Sequence, residues 1–249
     1  MIDLMLSHRS IRKFRETEIP EHILNKILHA GTRASTTGNM QVYSMVVTTK
    51  QEIKEKLWSA HFSQNMVLEA PVHITFCADF NRFSLWCRNR KAEPGYDNYL
   101  SFFTAAIDAL LVSQNVALAA EAEGLGICYL GTATYNADQI VEILELPELV
   151  VPVAAIVMGY AAEQPELTDR LPLEGVVHKE KYKNYVSAEI DRIYAEKESL
   201  AQTLELLKDN QKETLAQIFT DNRYSKKDNQ FFSAKYLKTI TDQGFMNNS

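Results

Sequence analysis

The stretch that decides the fold is residues 99–124, "YLSFFTAAIDALLVSQNVALAAEAEG". Its apolar residues occupy most sides of a helix, which predicts one long helix that lies deep in the structure. Gly124 and Gly126 end this helix, and "ICYLGT" at residues 127–132 predicts a strand directly after it. The order along the chain is therefore helix, glycines and strand.

This order differs from that of a dinucleotide-binding fingerprint, in which the glycines follow a strand and open a helix. Here the helix would present the negative end of its dipole to a ligand phosphate, which disfavours a Rossmann site. The glycines are better explained as a helix stop and a turn. Gly131 still allows a flat ligand to approach the backbone closely.

Patterns on both sides of this stretch predict further helices and strands in mixed order. Predicted helices cover residues 20–34, 51–58 and 136–146, the last with Asn136 as its N-cap, and predicted strands cover residues 42–49, 71–79 and 151–161. Residues 165–182 predict an ordered loop, and charged amphipathic helices follow at 188–210 and 228–245. We predict a single α+β domain over residues 1–249, with a helical C-terminal arm at about 185–249.

The composition is that of a globular protein with an acidic balance. A hydrophobic content of 46% allows a sizeable core, and a formal net charge of −6 argues against a nucleic-acid or anionic-membrane partner. Cys77, Cys87 and Cys128 lack the spacing of a disulfide framework or a zinc site, so we expect reduced, buried thiols. Pro152 interrupts the longest apolar run and no secretory pattern is visible, so we expect a soluble, cytoplasmic protein.

A basic segment, "HRSIRKFR" at residues 8–15, stands out against this acidic background. Arg9, Ser10 and Arg12 offer guanidinium donors and a hydroxyl within a short span, which suits a phosphate dianion. The alternative is a solvated helix end with exterior charges, which Lys13 and Arg15 fit well. The segment alone leaves both interpretations open.

A polar loop, "STTGNMQ" at residues 35–41, offers donors and acceptors without a charge. Such groups suit the edge of a heteroaromatic ring, although a plain turn explains them too. The six histidines show no metal-ligand spacing, and no nucleophile elbow is present, so we predict neither a metal site nor a hydrolase.

In their order along the chain, "HRSIRKF", "STTGNMQ", "GLGICYLGT" and "PELTDRLP" resemble the nitroreductase family of FMN-dependent oxidoreductases. The likeness is to the larger branch of oxygen-insensitive NADPH nitroreductases and NADPH:flavin oxidoreductases. It implies a nitroreductase-like α+β fold with a central mixed, mostly antiparallel sheet flanked by helices and a helical C-terminal extension. It also implies a homodimer with one FMN at each end of the interface.

The resemblance implies a set of FMN-binding residues, which fall into four groups. The phosphate and ribityl group is His8, Arg9, Ser10 and Arg12; the loop beside the flavin is Thr36, Thr37, Gly38, Asn39 and Gln41; Gln64 contacts the flavin; and the turn beside the ring is Tyr129, Leu130, Gly131 and Thr132.

Two further positions in the second half of the chain complete the implied FMN-binding set. Arg170 matches a phosphate-binding arginine, and Thr168 stands where the larger branch commonly has lysine, so a hydroxyl replaces a charge. In "DNRYSKK", Arg223 is the best match to a grip on the 2′-phosphate of NADPH, with Lys226 and Lys227 as weaker candidates. An exposed basic turn is the alternative interpretation of this stretch.

The activity implied by the resemblance is hydride transfer from NAD(P)H, with NADPH favoured, through flavin N5 to a nitroaromatic, quinone, azo or flavin acceptor by a ping-pong mechanism. The flavin carries the chemistry, so no catalytic side chain is predicted. Alternatives are another reductive reaction such as dehalogenation and a non-enzymatic, phospholigand-binding regulatory protein. The apolar faces within "IYAEKESLAQTLELL" also predict a dimer.

Overall fold

The computed structural model describes residues 1–247. Its helices are α1 (Ile2–Leu6), α2 (Glu21–Gly31), α3 (Gln51–Ala60), α4 (Met66–Glu69), α5 (Asn81–Asn89), α6 (Tyr99–Ala122), α7 (Ala137–Ile143), α8 (Ser187–Ser199), α9 (Ala201–Asp209), α10 (Leu215–Gln217) and α11 (Lys226–Asp242). Its strands are β1 (Tyr43–Thr48), β2 (Val72–Asp79), β3 (Gly126–Tyr129) and β4 (Val150–Gly159). The four predicted strands are therefore confirmed, with shifts of a few residues at their ends.

The strands form one sheet in the order β1-β2-β4-β3, and every neighbouring pair is antiparallel. Ser10 adds an isolated parallel bridge to Ile127 at the β3 edge, which makes the sheet mixed. Pro152 lies in the central strand β4 opposite Cys77, where the β2–β4 register shifts. A proline has no N–H for the ladder, and such an irregularity accommodates it. The predicted fold class is confirmed.

Helix α6 packs against the sheet and against α2, and its buried side chains include Ala109, Val112 and Val116. The expectation that α6 lies deep on most sides is only partly right. One face stays exposed in the monomer and carries Leu100, Phe103, Ile107, Leu110 and Leu111. By length and composition α6 would suffice to cross a membrane, but half of that apolar window is packed inside the protein, so this is weak evidence for a span.

Strand β3 receives the N-terminal segment at close range. A Cβ atom on Gly126 would collide with the side chain of Ile11, so only glycine lets the two chains approach at this point. Cys77, Cys87 and Cys128 are buried and form no disulfide, as predicted. Burial raises the pKa of the Cys77 and Cys128 thiols, so both stay protonated near neutral pH.

The chain divides into two compact units. The first comprises Met1–Glu166 and the described residues from Phe232 onward, and the second is Leu167–Phe231. In the first unit, Ile240 and Phe245 are buried in a cluster with Phe102. The predicted single domain with an arm from about residue 185 stays a prediction.

The second unit corrects the predicted helix at 188–210, which is two helices, α8 and α9. Leu200 between them has an extended backbone, with φ −60° and ψ 137°. The Thr203 hydroxyl donates to the carbonyl of Lys197 at 2.8 Å, and the Ser199 hydroxyl donates to that of Glu196. These local bonds compete with helix continuation.

Asn136 precedes α7, but its side chain makes no capping bond. Its Nδ2 donates instead to the carbonyl of Ala60 at 2.7 Å, and its Oδ1 accepts from Lys235 Nζ at 2.8 Å. The Asn136 side chain is buried, and a buried amide needs hydrogen-bond partners. It finds them on α3 and α11, so a tertiary contact takes the place of the predicted N-cap.

Candidate functional site

The basic segment and the turn after β3 are both hydrogen-bonded to one side of α6. The Ser113 hydroxyl lies 3.0 Å from the Tyr129 hydroxyl, and Glu121 Oε1 lies 2.6 Å from His8 Nδ1. Ser113 and Glu121 are eight residues apart, which places them about 80° apart around the helix axis. Burial raises the pKa of Tyr129, so its phenol is neutral. The basic segment and the turn after β3 therefore lie along one side of α6.

The polar loop at residues 36–41 is bound to another side of α6. The buried Asp108 carboxylate accepts the backbone N–H of Thr37 at 2.9 Å and that of Val42 at 3.3 Å. Asp108 precedes Ser113 by five residues, which corresponds to about 140° around the helix. The structure thus separates this loop from the other two segments, although the sequence predicts all three around one ligand.

The basic segment runs beside β3 as extended chain and not as a helix end. Ser10 bridges Ile127, and the Ile11 N–H donates to the Ile127 carbonyl at 2.8 Å. Ile11 and Phe14 are buried, whereas the basic side chains between them are exposed. The side chains of Arg12, Lys13 and Arg15 are thus exposed in the described chain, and the part of Arg12 in phosphate binding stays a prediction.

His8 and Arg9 line a cavity of about 580 Å³. Arg9 Nη1 donates to the Ser7 carbonyl at 3.0 Å, but Arg9 Nε is buried and has no partner within residues 1–247. An unpaired buried guanidinium N–H is costly, so an anionic oxygen placed there would be stabilised. This orphaned donor is the feature of the basic segment that fits a phosphate ligand.

Two carboxylates accompany the basic segment, and sequence reasoning missed both. Glu163 Oε1 accepts the backbone N–H of Arg12 at 2.6 Å and that of Lys13 at 3.1 Å. Glu121 holds His8, as described above. Both carboxylates line the cavity and lower its positive potential. Neither is near the basic segment in sequence, so no local pattern could have indicated them.

The loop at 36–41 has an unusual backbone. Gly38, Asn39 and Gln41 all have positive φ, at 56°, 56° and 55°. Glycine and asparagine tolerate this left-handed backbone region, whereas most other residues are strained in it. Gln41 is therefore the residue whose backbone conformation costs the most energy. Arg82 donates to the carbonyls of Gln41 and Tyr43 and holds the end of the loop.

The turn after β3 presents an open backbone. Leu130 is buried and donates its N–H to the Ala155 carbonyl at 2.8 Å, which fixes the turn to β4. Gly131 is exposed, and a Cβ atom there would meet no heavy atom within 4 Å. The backbone at Gly131 is therefore open to close approach, and a flat ligand at this position stays a prediction.

Gln64 and Thr132, which lie 68 residues apart, are brought together. Gln64 Nε2 donates to Thr132 Oγ1 at 3.3 Å and to the His61 carbonyl at 3.0 Å. His61 Nδ1 lies 2.7 Å from the same Thr132 oxygen. The structure thus gathers two of the implied flavin contacts around one hydroxyl.

A second histidine stands behind His61. His73 Nε2 lies 3.2 Å from His61 Nε2, and both rings are fully buried. Burial lowers the pKa of His61 to about 4 and that of His73 to about 3, so both are neutral at pH 7. Sequence reasoning considered His8 as a phosphate contact and the other histidines only as metal ligands, so it missed this pair. Across the described chain, no group of three or more His, Cys, Asp or Glu could hold a metal ion.

The second unit contains the remaining implied residues. Arg170 Nη1 donates to the carbonyls of Thr168 at 3.2 Å and Asp169 at 2.9 Å. Asp169 pairs with Lys197 at 2.7 Å, which brings a lysine close to the position where Thr168 lacks a charge.

Arg223 lies over the ring of Phe219, with 5.8 Å between the guanidinium carbon and the ring centroid. Lys226 and Lys227 begin α11 and are exposed. The roles of all these residues in ligand binding stay predictions.

Residues 5–160 match the model of the nitroreductase family. The oxygen-insensitive NADPH nitroreductase of Salmonella typhimurium is 33% identical over 181 residues, which is 73% of this chain and 74% of that protein.

Two solved structures share the fold over nearly the whole chain. A Bacteroides fragilis protein, provisionally assigned as an oxidoreductase, has a TM-score of 0.97 at 52% identity, covering 98% of this chain and 100% of that one. The NADPH:FMN oxidoreductase of Vibrio harveyi, solved with NAD+, has a TM-score of 0.78 at 26% identity, covering 100% and 99%.

Proposed function

Because the chain belongs to the nitroreductase family, we propose that it is an FMN enzyme that passes hydride from NADPH to a nitroaromatic, quinone, azo or flavin acceptor. The family and its relatives make the protein an NAD(P)H-dependent oxidoreductase, which sets aside a non-enzymatic regulatory role. FMN, the acceptor classes and a ping-pong order belong to the proposal.

The observation that carries the proposal is the contrast between the two ends of β3. One end adjoins the orphaned Arg9 donor, and the other leads to the uncharged Thr132 hydroxyl beside the open Gly131. A four-residue strand spans only about 13 Å. A ligand with an anionic phosphate at one end and a neutral heteroaromatic ring at the other, such as FMN, suits this arrangement.

In this proposal the protein binds and orients, and the cofactor reacts. FMN supplies the redox chemistry when bound, since it accepts hydride from the nicotinamide and passes it to the acceptor. Arg9 and Arg12 neutralise the phosphate, while Gln64 and Thr132 bind the polar edge of the ring. Gly131 leaves room for the flavin ring to approach the backbone closely. In the proposed ping-pong order, NADPH and the electron acceptor occupy the same open face of that ring in turn.

Visible absorption tests cofactor and activity together. We expect the purified protein to retain a flavin spectrum after FMN addition and desalting, and that spectrum to bleach anaerobically with NADPH. Nitroarenes, quinones, azo dyes and free FMN should then restore the colour at different rates. A colourless protein would contradict the cofactor. Reoxidation by halogenated phenols but by none of the other acceptors would favour dehalogenation.

NADPH preference rests on Arg223, which we assign to the 2′-phosphate. The Salmonella relative is an NADPH nitroreductase. Arg223→Ala should raise KM for NADPH while leaving KM for NADH unchanged, because only NADPH carries the extra phosphate. Lys208→Ala, on an exposed position of the same unit, is the matched control. An equal rise for both donors would remove Arg223 from this role.

A homodimer is the assembly we propose. The exposed apolar face of α6 is of the kind that marks an interface, and the loop at 36–41 lies on another side of α6 from the Tyr129 turn. A second copy could supply that loop to the site. Leu110→Asp should shift light scattering from dimer to monomer, whereas the exposed Leu173→Asp should not. A monomeric wild type would refute the dimer.

We also place the enzyme in the cytoplasm. Its three thiols are buried and form no disulfide, which fits a reducing compartment. Fractionation of producing cells would test this placement.

A further inference from the structure

The Thr132 hydroxyl receives two hydrogen-bonding partners from inside the protein. Gln64 Nε2 lies 3.3 Å from Thr132 Oγ1 and 3.0 Å from the His61 carbonyl oxygen. A carbonyl only accepts, so the amide group facing it must be the nitrogen, and the orientation of Gln64 follows. Thr132 Oγ1 therefore accepts a hydrogen bond from Gln64.

The direction of the second bond depends on the His61 tautomer. His61 Nδ1 is 2.7 Å from Thr132 Oγ1, and His61 Nε2 is 3.2 Å from His73 Nε2. Both rings are neutral, so each has one N–H and one bare nitrogen. Between the two Nε2 atoms, one ring donates and the other accepts, which leaves two arrangements for the whole row.

In the first arrangement His73 Nε2–H donates to His61, and His61 Nδ1–H donates to Thr132. His73 Nδ1 is then a bare acceptor. In the second, Thr132 donates inward to His61, His61 donates to His73, and His73 Nδ1 carries a hydrogen. His73 Nδ1 is fully buried and has no partner in the described structure.

The orphaned His73 Nδ1 decides between the two arrangements. Orphaned buried N–H groups of the backbone are rarer in proteins than under-satisfied carbonyl oxygens, and we apply the same preference to the ring nitrogen of His73. The first arrangement leaves only a bare acceptor, so it is favoured. Thr132 Oγ1 then accepts from both Gln64 and His61, and its own hydrogen is left to point away from the protein interior.

We infer that His61, backed by His73, is a positioning residue that fixes the Thr132 hydroxyl as an outward hydrogen-bond donor to an acceptor atom on the polar edge of the flavin ring. The direction of the hydroxyl stands on the residues alone, whereas the identity of the ligand rests on the proposed function. Because the donor is oriented before the ligand arrives, binding does not have to reorient it.

Imidazole tautomers can be measured without any ligand. In protein labelled with ¹⁵N-histidine, long-range ¹H–¹⁵N correlation spectra separate protonated from bare ring nitrogens, and His61→Asn and His73→Leu assign the two signals. We expect His61 to be protonated at Nδ1 and His73 at Nε2. Protonation of His61 at Nε2 would overturn the inference. This readout decides the hydroxyl direction even if FMN does not bind.

A double-mutant cycle on FMN affinity tests the link to the ligand. Titration of apoprotein with FMN should give about three- to ten-fold weaker binding for Thr132→Val, which loses one hydrogen bond. His61→Leu should weaken binding in the wild type but not in the Thr132→Val background, because it acts through Thr132. Thr132→Ser and His61→Asn, which keep the required groups, should stay near wild type.

Additive losses would show that His61 acts through general packing and would overturn the inference. Unchanged affinity in Thr132→Val, with FMN still bound, would also overturn it while leaving the proposed function intact. No FMN binding by the wild type would contradict the proposed function, and the tautomers would then decide the hydroxyl direction separately.

Discussion

At one end of β3 the Thr132 hydroxyl lies against the fully buried His61, whereas His8 and Arg9 line the cavity at the other end, and the Arg12 and Lys13 side chains that follow are exposed to solvent. We call the first the ring end and the second the phosphate end. The ring end is uncharged, and its contacts come from residues far apart in sequence. The phosphate end is charged, and its basic residues lie within one short stretch of sequence.

The difference has an energetic consequence. Buried neutral imidazoles stabilise the fold only while they stay neutral, so the ring end couples ligand geometry to protein stability. Exposed arginines contribute little to folding but act directly on an anion. Changes at the ring end should therefore alter stability and orientation together, and changes at the exposed arginines of the phosphate end should alter affinity with little change in stability.

The largest expected effect is a loss of stability between pH 7 and pH 5. Unfolded histidines titrate near 6.5, while folded His61 and His73 have pKa values of about 4 and about 3. As the pH falls through 6.5, only the unfolded state gains these protons, so stability falls until the folded pKa values are reached. The two groups together should cost about 4 kcal/mol over this range.

Urea denaturation at several pH values checks this prediction. His73→Leu removes one titrating group, so its pH-dependent loss should be about half that of the wild type. Arg12→Ala, an exposed change at the phosphate end, should keep the wild-type pH dependence. If His73→Leu and the wild type lost stability in parallel, the buried pair would not be the source.

The next effect is on cofactor affinity at the phosphate end. Arg9→Ala and Arg12→Ala should each weaken FMN binding by about ten-fold or more, since a charge-assisted hydrogen bond is lost. The unfolding free energy should change little for Arg12→Ala, in contrast to the ring end. Lys13→Ala is the matched control and should bind FMN as the wild type does. Retained flavin in Arg12→Ala after dialysis would assign Arg12 to the solvated face.

Much of the fold follows from local patterns. The strands and α6 could be predicted because alternation, β-branched content and a long apolar run are encoded in consecutive residues. The exposed stripe on α6 could not, since Leu110 and Leu111 are as apolar as the buried Val112. Apolar character does not distinguish a side chain that packs within the chain from one that stays exposed on its surface.

In the candidate site, too, some features could be predicted from the sequence and others could not. The phosphate end was visible as a run of basic residues, and the loop at 36–41 as a polar run. The row from His73 to Thr132 was not visible, because its members come from β2, the end of α3 and the turn after β3. Glu163 was missed for the same reason, since its partners Arg12 and Lys13 lie about 150 positions earlier.

The smallest effect sharpens the description of the phosphate end. Glu163 places a carboxylate among the groups that should hold the ligand phosphate. The carboxylate and the phosphate are both negative, and two such charges repel each other weakly in water. Glu163→Gln keeps an oxygen for the N–H groups of Arg12 and Lys13 but removes the charge. FMN binding should become about three- to five-fold tighter at low salt, and the gain should shrink at high salt because the repulsion is screened.

Equilibrium titration at two ionic strengths measures this gain, with Glu166→Gln, an exposed carboxylate close by in sequence, as the control. Weaker binding by Glu163→Gln at both salt concentrations would mean that the carboxylate chiefly shapes the backbone of residues 12 and 13. In that case the phosphate end, like the ring end, would depend on a fixed hydrogen-bond geometry, and the contrast between them would reduce to charge alone.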